Sequence, residues 1–292
     1  MNSHHKPWKS GLCLVMVAFA VLTGCTSRRQ NTDTLLTASI PPIKYIVEYI
    51  TCGDFQVNVL LPAGASPESY APSASQIVDT EDSRLIFTSG LFDFEQELVS
   101  RISVRTGDVV NLSEHIVLKS GDCVRASEGH GHRQGIDPHI WTSPEQLKIM
   151  AANAYEAIRQ AFPDSLKYRS AYRSLRQELD EASERIRQQA AVSPTRSFII
   201  YHPALTYYAD DYGLEQIPLE REGKEPSAVY LENVIRRAKE EGIMVVLYQE
   251  QSPATTVSTV ASDIGAVPVP VNPLDENIVA EILRITDLIT AR

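Results

Sequence analysis

Leu166–Gln189 reads LKYRSAYRSLRQELDEASERIRQQ. Leu166, Tyr172, Leu175, Leu179 and Ile186 are its apolar positions among many charges, the pattern of a solvated amphipathic helix with one buried stripe. The helix predicted over Ser165–Ala191 follows another over Pro144–Phe162, which has proline in its first turn and is cut off by Pro163-Asp164. On either side of this pair the chain runs through the same alternation. Upstream, Leu35–Ile40, Val57–Leu61, Leu85–Ser89 and Val109–Leu112 read as strands, with helices over Pro42–Ile50 and Asp93–Ile102 and a polar loop over Ser113–Gly135. Downstream, Phe198–Tyr201, Glu215–Leu219, Ile243–Tyr248 and Val267–Val271 read as strands. Helices lie between them over Pro203–Tyr212, Ser227–Glu241 and Pro253–Ile264, and a final helix starts at Leu274. Strands alternating with helices imply parallel sheets with helices on both faces. The predicted fold class is therefore α/β: two lobes with parallel sheets flanked by helices, joined by one long interlobe helix. The N-terminal lobe spans 34–163, the linking helix 164–192 and the C-terminal lobe 193–292.

The amino terminus carries a different signal. Residues 11–22, GLCLVMVAFAVL, form an apolar run preceded by Lys6 and Lys9 and by no acid. The run is too short for a bilayer span, which takes about 20 apolar residues, and has the length and flanks of a secretory signal. It ends in Leu22-Thr23-Gly24-Cys25. Small residues directly before a cysteine, directly after an apolar core, resemble the bacterial lipobox. That resemblance implies a signal peptide over 1–24, lipidation of Cys25 and a lipidated tether over 25–33. An exported, membrane-anchored lipoprotein is expected, in the periplasm or on the outer face of the cell membrane. Losing Lys6 and Lys9 with the leader takes the formal charge from -10 to -12. An acidic chain is a poor partner for polyanions, so no nucleic acid is expected; the chain is read as a monomer. Cys13 leaves with the leader and Cys25 takes lipid, which leaves Cys52 and Cys123. Export places them where disulfides persist. One bridge between them is expected, two buried or free thiols being the alternative. No Cys-x-x-Cys pair occurs, which argues against a structural cysteine–zinc site.

Binding sites in open parallel sheets lie at the carboxyl ends of strands. Four polar segments follow strands or the long loop: Pro62–Pro72 with Glu68, Asp137-Pro-His139-Ile-Trp141, His202-Pro203, and Asn272-Pro-Leu274-Asp275. Each offers a metal donor, and imidazole with carboxylate suits zinc, manganese or iron. Each donor also has a plainer reading: His139 as a hydrogen-bonded core residue, His202 as a helix cap, Glu68 as a solvated loop acid. Of the five histidines beyond the leader, His115, His130, His132, His139 and His202, two fall at such exits in different lobes. An open three-ligand zinc can activate water, which is the hydrolase alternative. The sequence has neither a His-Glu-x-x-His helix nor a Gly-x-Ser-x-Gly elbow, and nothing places Glu250 or Glu220 as a base. The chain is not read as an enzyme.

The segment Pro62-Ala-Gly-Ala-Ser-Pro-Glu68-Ser-Tyr70-Ala-Pro72 resembles the first binding loop of the solute-binding proteins of zinc and manganese ABC importers. Asp137-Pro138-His139-Ile140-Trp141-Thr142-Ser143-Pro144 is similar to that family's second ligand segment. Tyr201-His202-Pro203-Ala204, followed by Tyr207, Tyr208 and Tyr212-Gly213-Leu214, is similar to its third, and Glu222–Ser227 to the stretch after it. The resemblance implies two α/β lobes on a rigid helix, and an extracytoplasmic subunit that captures a divalent transition metal and hands it to an ABC permease and its ATPase. It implies Glu68, His139, His202 and a fourth residue as metal ligands. The sequence departs from the family in two places. Glu68 stands where histidine is usual. Asn272 stands where the fourth ligand, an aspartate, is usual, so the fourth place falls to Asp275, with Asn272, Glu250 or water as alternatives. Zinc is favoured over manganese or ferrous iron by raw affinity. A manganese- or iron-binding member of the same family is the runner-up. His130-Gly131-His132, near Glu128 and His115, lies where zinc-type relatives carry a His-rich loop; it reads as a short solvated loop, or as an accessory metal site at His130 and His132. Some members of the family are called adhesins, but only 7% of residues are aromatic, which argues against adhesion as the primary role.

Overall fold

Beyond Met1, the computed structural model describes residues 35–102, 109–121, 135–163, 165–221 and 224–291. The expected leader, tether and lipidated Cys25, and also Cys123, His130 and His132, lie outside the described residues. The first lobe contains β1 (Leu35–Ala38), α1 (Pro41–Thr51), β2 (Gln56–Val59), α2 (Ala74–Glu81), β3 (Leu85–Thr88), α3 (Asp93–Arg101) and β4 (Val109–Asn111). A single 3-10 turn at Ile140–Thr142 leads into α4 (Pro144–Ala161) and the long α5 (Leu166–Val192). The second lobe contains β5 (Ser197–Ile200), α6 (Thr206–Asp211), β6 (Glu215–Pro218), α7 (Ala228–Glu241), β7 (Val245–Tyr248), α8 (Ala254–Ile264), β8 (Val267–Pro270) and α9 (Ile278–Thr290).

Both sheets are parallel, in the orders β2-β1-β3-β4 and β6-β5-β7-β8. Each order reverses between its first and third strands, which opens a crevice at the carboxyl ends of β1 and β3 and of β5 and β7. Three local expectations change. The final helix starts at Ile278, not Leu274, because the Asn277 side chain caps it by accepting from Ala280 N at 3.2 Å. The helix expected over Pro203–Tyr212 is shortened to α6, since its first residues carry the site loop. Helix α2 was not expected, because only Ile77 and Thr80 are buried along it. Its signature is a capping box: Ser73 N donates to Gln76 Oε1 at 3.0 Å, and Gln76 N to Ser73 Oγ at 3.4 Å.

The stripe on α5 is Tyr168, Leu175, Leu179, Ala182, Ile186 and Ala190. Leu166 is exposed in its first turn, and Tyr172 is half-buried, stacked on Tyr155 with ring centroids 4.5 Å apart. The buried stripe belongs to one apolar core that runs from β1, β3, α1 and α4 through α5 to α9 and to Phe198 and Ile200 of β5. On the other face of β5, Ile199 and the following Tyr201 join Ile217, Val234, Val246 and Val260 in a second core, as the period-two alternation of a strand requires. The two sheets therefore share interior through α5 and α9, and the described residues from Leu35 onward form one compact unit.

Cys52 caps the end of α1 with φ 55 and is exposed, with no disulfide partner among the described residues. The bridge expected from it to Cys123 involves a residue outside the described ones.

Candidate metal centre

Three segments converge on one point between the sheets. The first leaves β2 and carries Glu68. Its course is fixed at several places: Gln76 Nε2 donates to Leu60 O at 3.1 Å, and the Tyr70 ring meets Phe94 edge-on at 5.2 Å. Gly64 turns it at φ 77, a conformation that favours glycine. Ser66 Oγ donates to Glu68 Oε2.

The second segment carries His139 and is anchored on both sides. Asp137 N donates to Lys119 O at 2.9 Å and Ile140 N to Pro138 O at 2.8 Å. Trp141 is fully buried, and its Nε1 donates to Pro273 O of the β8 exit at 2.6 Å. Tyr207 of α6, also fully buried, donates its hydroxyl to Asp137 O at 2.9 Å and accepts from Lys119 N at 3.1 Å. The second lobe thus grips the segment that presents His139.

The third segment leaves β5 and carries His202. Gln249, at the exit of β7, clasps its backbone: His202 N donates to Gln249 Oε1 at 3.4 Å, and Gln249 Nε2 donates to His202 O at 3.2 Å.

Glu68 Oε1 lies 3.1 Å from His139 Nε2 and 3.4 Å from His202 Nε2. The two imidazole centroids are 5.2 Å apart, with the rings inclined at 73°. One potential ligand atom from each of the three residues lies within 4.8 Å of the other two. His139 is buried and His202 nearly so, while Glu68 reaches in from the rim. The Nδ1 atom of each imidazole faces a carboxylate: Asp137 Oδ1 at 2.8 Å from His139, and Glu220 Oε2 at 3.3 Å from His202. That is the arrangement that turns both Nε2 atoms toward a shared centre. The 3.4 Å approach to Glu68 lacks hydrogen-bonding alignment, so His202 Nε2 is buried without a hydrogen-bond partner among the described residues.

The electrostatics follow from this packing. Burial raises the Glu68 carboxyl, but the two imidazoles overcome it and hold the group well below the usual range. Burial alone lowers His202; the carboxylates of Glu220 and Glu68 more than compensate and raise it. Asp137, which burial also pushes up, is held down by His139. Two imidazoles and one carboxylate form a donor set suited to a divalent transition metal.

Asp275, Asn272 and Glu250 line the same cleft. Among the described residues, neither Asp275 nor Glu250 belongs to the chelating cluster. Asp275 is occupied with its own turn, accepting from Asn277 N at 2.8 Å, while Asn272 Oδ1 accepts from Leu274 N at 3.1 Å. The orienting roles of Asp137 and Glu220 were not anticipated from sequence. Asp137 stood next to the signal, in the Asp-Pro-His segment.

Residues 36–282 match the family described as zinc-uptake complex component A, periplasmic (ZnuA). Over 282 residues the chain is 24% identical to the zinc-binding lipoprotein AdcA of Streptococcus pneumoniae strain ATCC BAA-255 / R6, covering 91% of this chain and 55% of that protein. It thus spans about half the length of that relative. It is 26% identical over 284 residues to the high-affinity zinc uptake system protein ZnuA of Bacillus subtilis strain 168, covering 89% of this chain and 86% of that protein. Among solved structures, a crystal structure of ZnuA superposes with a TM-score of 0.78 at 28% identity, covering 88% of this chain and 98% of that one.

Proposed function

The chain belongs to the family of periplasmic zinc-uptake complex component A proteins, and from that premise we propose that it captures zinc between its two lobes and delivers it to the membrane permease of an ABC importer. Glu68, His139 and His202 hold the ion, and the fourth position falls to water, Asp275, Asn272 or Glu250. Zinc is preferred to manganese or ferrous iron because two of the three donors are imidazoles. The protein works outside the cytoplasm, held to a membrane by lipid on Cys25, as a non-catalytic subunit whose partners are the permease and its ATPase. The N-terminal lobe, linking helix and C-terminal lobe divide at 34–163, 164–192 and 193–292.

The observation that carries this reading is the convergence of Glu68, His139 and His202 from three separate strand and loop exits, with both imidazoles backed by carboxylates. The names of the relatives, a zinc-binding lipoprotein and a zinc uptake system protein, support the choice of cargo. Zinc titration by calorimetry tests it. One equivalent should bind tightly to the wild type, and tight binding should be lost in the variant His139→Ala/His202→Ala. Unchanged affinity in that double variant sinks the site.

A further inference from the structure

We infer that Glu220 is a positioning residue for metal capture: it fixes the tautomer and orientation of His202, and so decides whether the second lobe presents a usable nitrogen. The inference rests on the metal-binding reading above, and the route to it is geometric. The hydrogen-bond ladder between β5 and β6 runs on past both strands: Leu219 N donates to Ile200 O at 2.9 Å, and Glu220 N donates to Tyr201 O at 2.8 Å. This extension sets Glu220 beside His202, and its Oε2 reaches His202 Nδ1 at 3.3 Å. Two carboxylates flank the ring, but only Glu220 meets its nitrogen with hydrogen-bonding geometry, while Glu68 Oε1, 3.4 Å from Nε2, does not; the proton of the neutral imidazole therefore stays on Nδ1 and the lone pair on Nε2. That Nε2 atom is the one in the cluster with Glu68 and His139, and it is buried with no hydrogen-bond partner among the described residues.

The two orienting carboxylates are not equivalent. Asp137 is fully buried, and its Oδ1 also accepts from His139 N at 2.8 Å, so the same atom shapes the backbone turn and the ring. Its removal would disturb the fold as well as the ligand. Glu220 lines the open cleft, its side chain is 20% exposed, and the hydrogen bond of its side chain runs to the His202 ring alone among those described. The ring otherwise packs against His139 and lies 3.4 Å from Glu68 Oε1, while its backbone is held independently by Gln249. Removing the Glu220 carboxylate therefore leaves the segment in place and frees the ring.

The test compares wild type, Glu220→Ala, Glu220→Gln and Glu220→Asp. Nitrogen NMR of the metal-free proteins, recorded at alkaline pH where the imidazole is neutral, reads the His202 tautomer. Calorimetry with zinc alone reads affinity, and thermal unfolding checks the fold. The wild type should show a single Nδ1-protonated tautomer. Glu220→Ala should show a tautomer mixture and bind zinc about 10–100-fold more weakly, the usual effect of losing such a partner. Glu220→Asp should recover part of both. A purely structural role for Glu220 would lower the melting temperature without moving the tautomer. The inference is overturned if Glu220→Ala keeps the wild-type tautomer, or keeps wild-type zinc affinity while the wild type binds zinc. If the wild type binds no zinc, the metal reading fails, and the tautomer of the metal-free proteins still decides what Glu220 does.

Discussion

The carboxylate of Glu68 sits 3.1 Å from Nε2 of His139, so the rim loop of the first lobe closes directly onto its most buried imidazole. Glu68 is also the most exposed of the three converging donors. Glu68→Ala should weaken zinc binding by more than the about 10–100-fold expected for an orienting partner, because a donor itself is lost. Glu68→His replaces an anionic oxygen with a neutral nitrogen, so zinc should gain over manganese in relative affinity. Binding should also become more sensitive to acid, since a third ring must shed its proton. Competition titrations of the three proteins with zinc and manganese check this. Identical behaviour of the Ala and His variants, both near wild type, would show that Glu68 faces only solvent when metal is bound.

Proton competition gives a second outcome, with a definite sign. His202 is held above its ordinary value of 6.5: burial opposes this, but Glu220 and Glu68 overcome it. Its charged form therefore stabilises the metal-free fold below the unfolded value, and that stabilisation is lost as pH rises through the raised folded value. Glu68 runs the other way. Its folded value lies well below 4.5, so it stabilises the fold above that pH and loses its effect as pH falls through the depressed value. Zinc requires the neutral imidazole, so affinity climbs in the window where the metal-free protein loses the His202 contribution. The rise in melting temperature caused by zinc should be larger at about pH 8 than at about pH 6. At the lower pH the binding enthalpy should depend on the buffer, because protons are released. A zinc-induced shift that is flat across this window would remove His202 from the site.

The centre was legible where it depended on chain-local position. Glu68, His139 and His202 each sit just past a strand or at the close of the long loop, where parallel sheets bind ligands; position alone left each a plainer reading, and the resemblance to the family's ligand segments decided between them. What required three dimensions stayed hidden. Glu220 meets His202 only because the β5–β6 register continues past the strand ends. The fourth position stays open between Asp275, Asn272, Glu250 and water: the resemblance puts it near Asn272, and Asp275 Oδ1 accepts from Asn277 N in the turn that follows. The fold read well because Leu175, Leu179 and Ile186 mark the stripe on α5 at helical spacing. Helix α2 lacks such a stripe, and α9 starts four residues beyond the expected Leu274 because the Asn277 side chain caps it.

A third outcome concerns cooperativity. Leu179 is buried in α5 within the core that extends from β1 and β3 to α9 and one face of β5. Leu179→Ala should cost about 2–5 kcal/mol, the range for such truncations in well-packed interiors. Since both sheets draw on this core, the loss should move one shared transition. Urea unfolding followed by far-ultraviolet circular dichroism should remain a single step, shifted to a lower midpoint with unchanged slope. Two separated steps, only one of them shifted, would mean that the lobes unfold independently and that α5 merely tethers them.

Trp141 offers the sharpest test of how the second ligand segment is held. Its indole is fully buried, packed 5.7 Å from the Phe92 ring and 5.3 Å from His139, and its Nε1 donates to Pro273 O at 2.6 Å. This bond ties the segment that carries His139 to the exit of β8 across the cleft. Trp141→Phe keeps an aromatic ring but deletes the donor and leaves the Pro273 carbonyl unpaired. Stranding a buried acceptor costs about 1–3 kcal/mol, so the urea midpoint should fall by a corresponding amount. Zinc affinity should fall far less than in any variant of Glu68, His139 or His202, because Asp137 still accepts from His139 N and Tyr207 still holds the Asp137 carbonyl. Circular dichroism is the proper readout, since the only other tryptophan is Trp8, in the expected leader, and the substitution removes the fluorescence signal with the bond. A variant as stable as wild type would show that the Trp141–Pro273 bond contributes nothing to holding the lobes together. Loss of zinc binding with stability intact would show instead that it acts on the geometry of His139 alone.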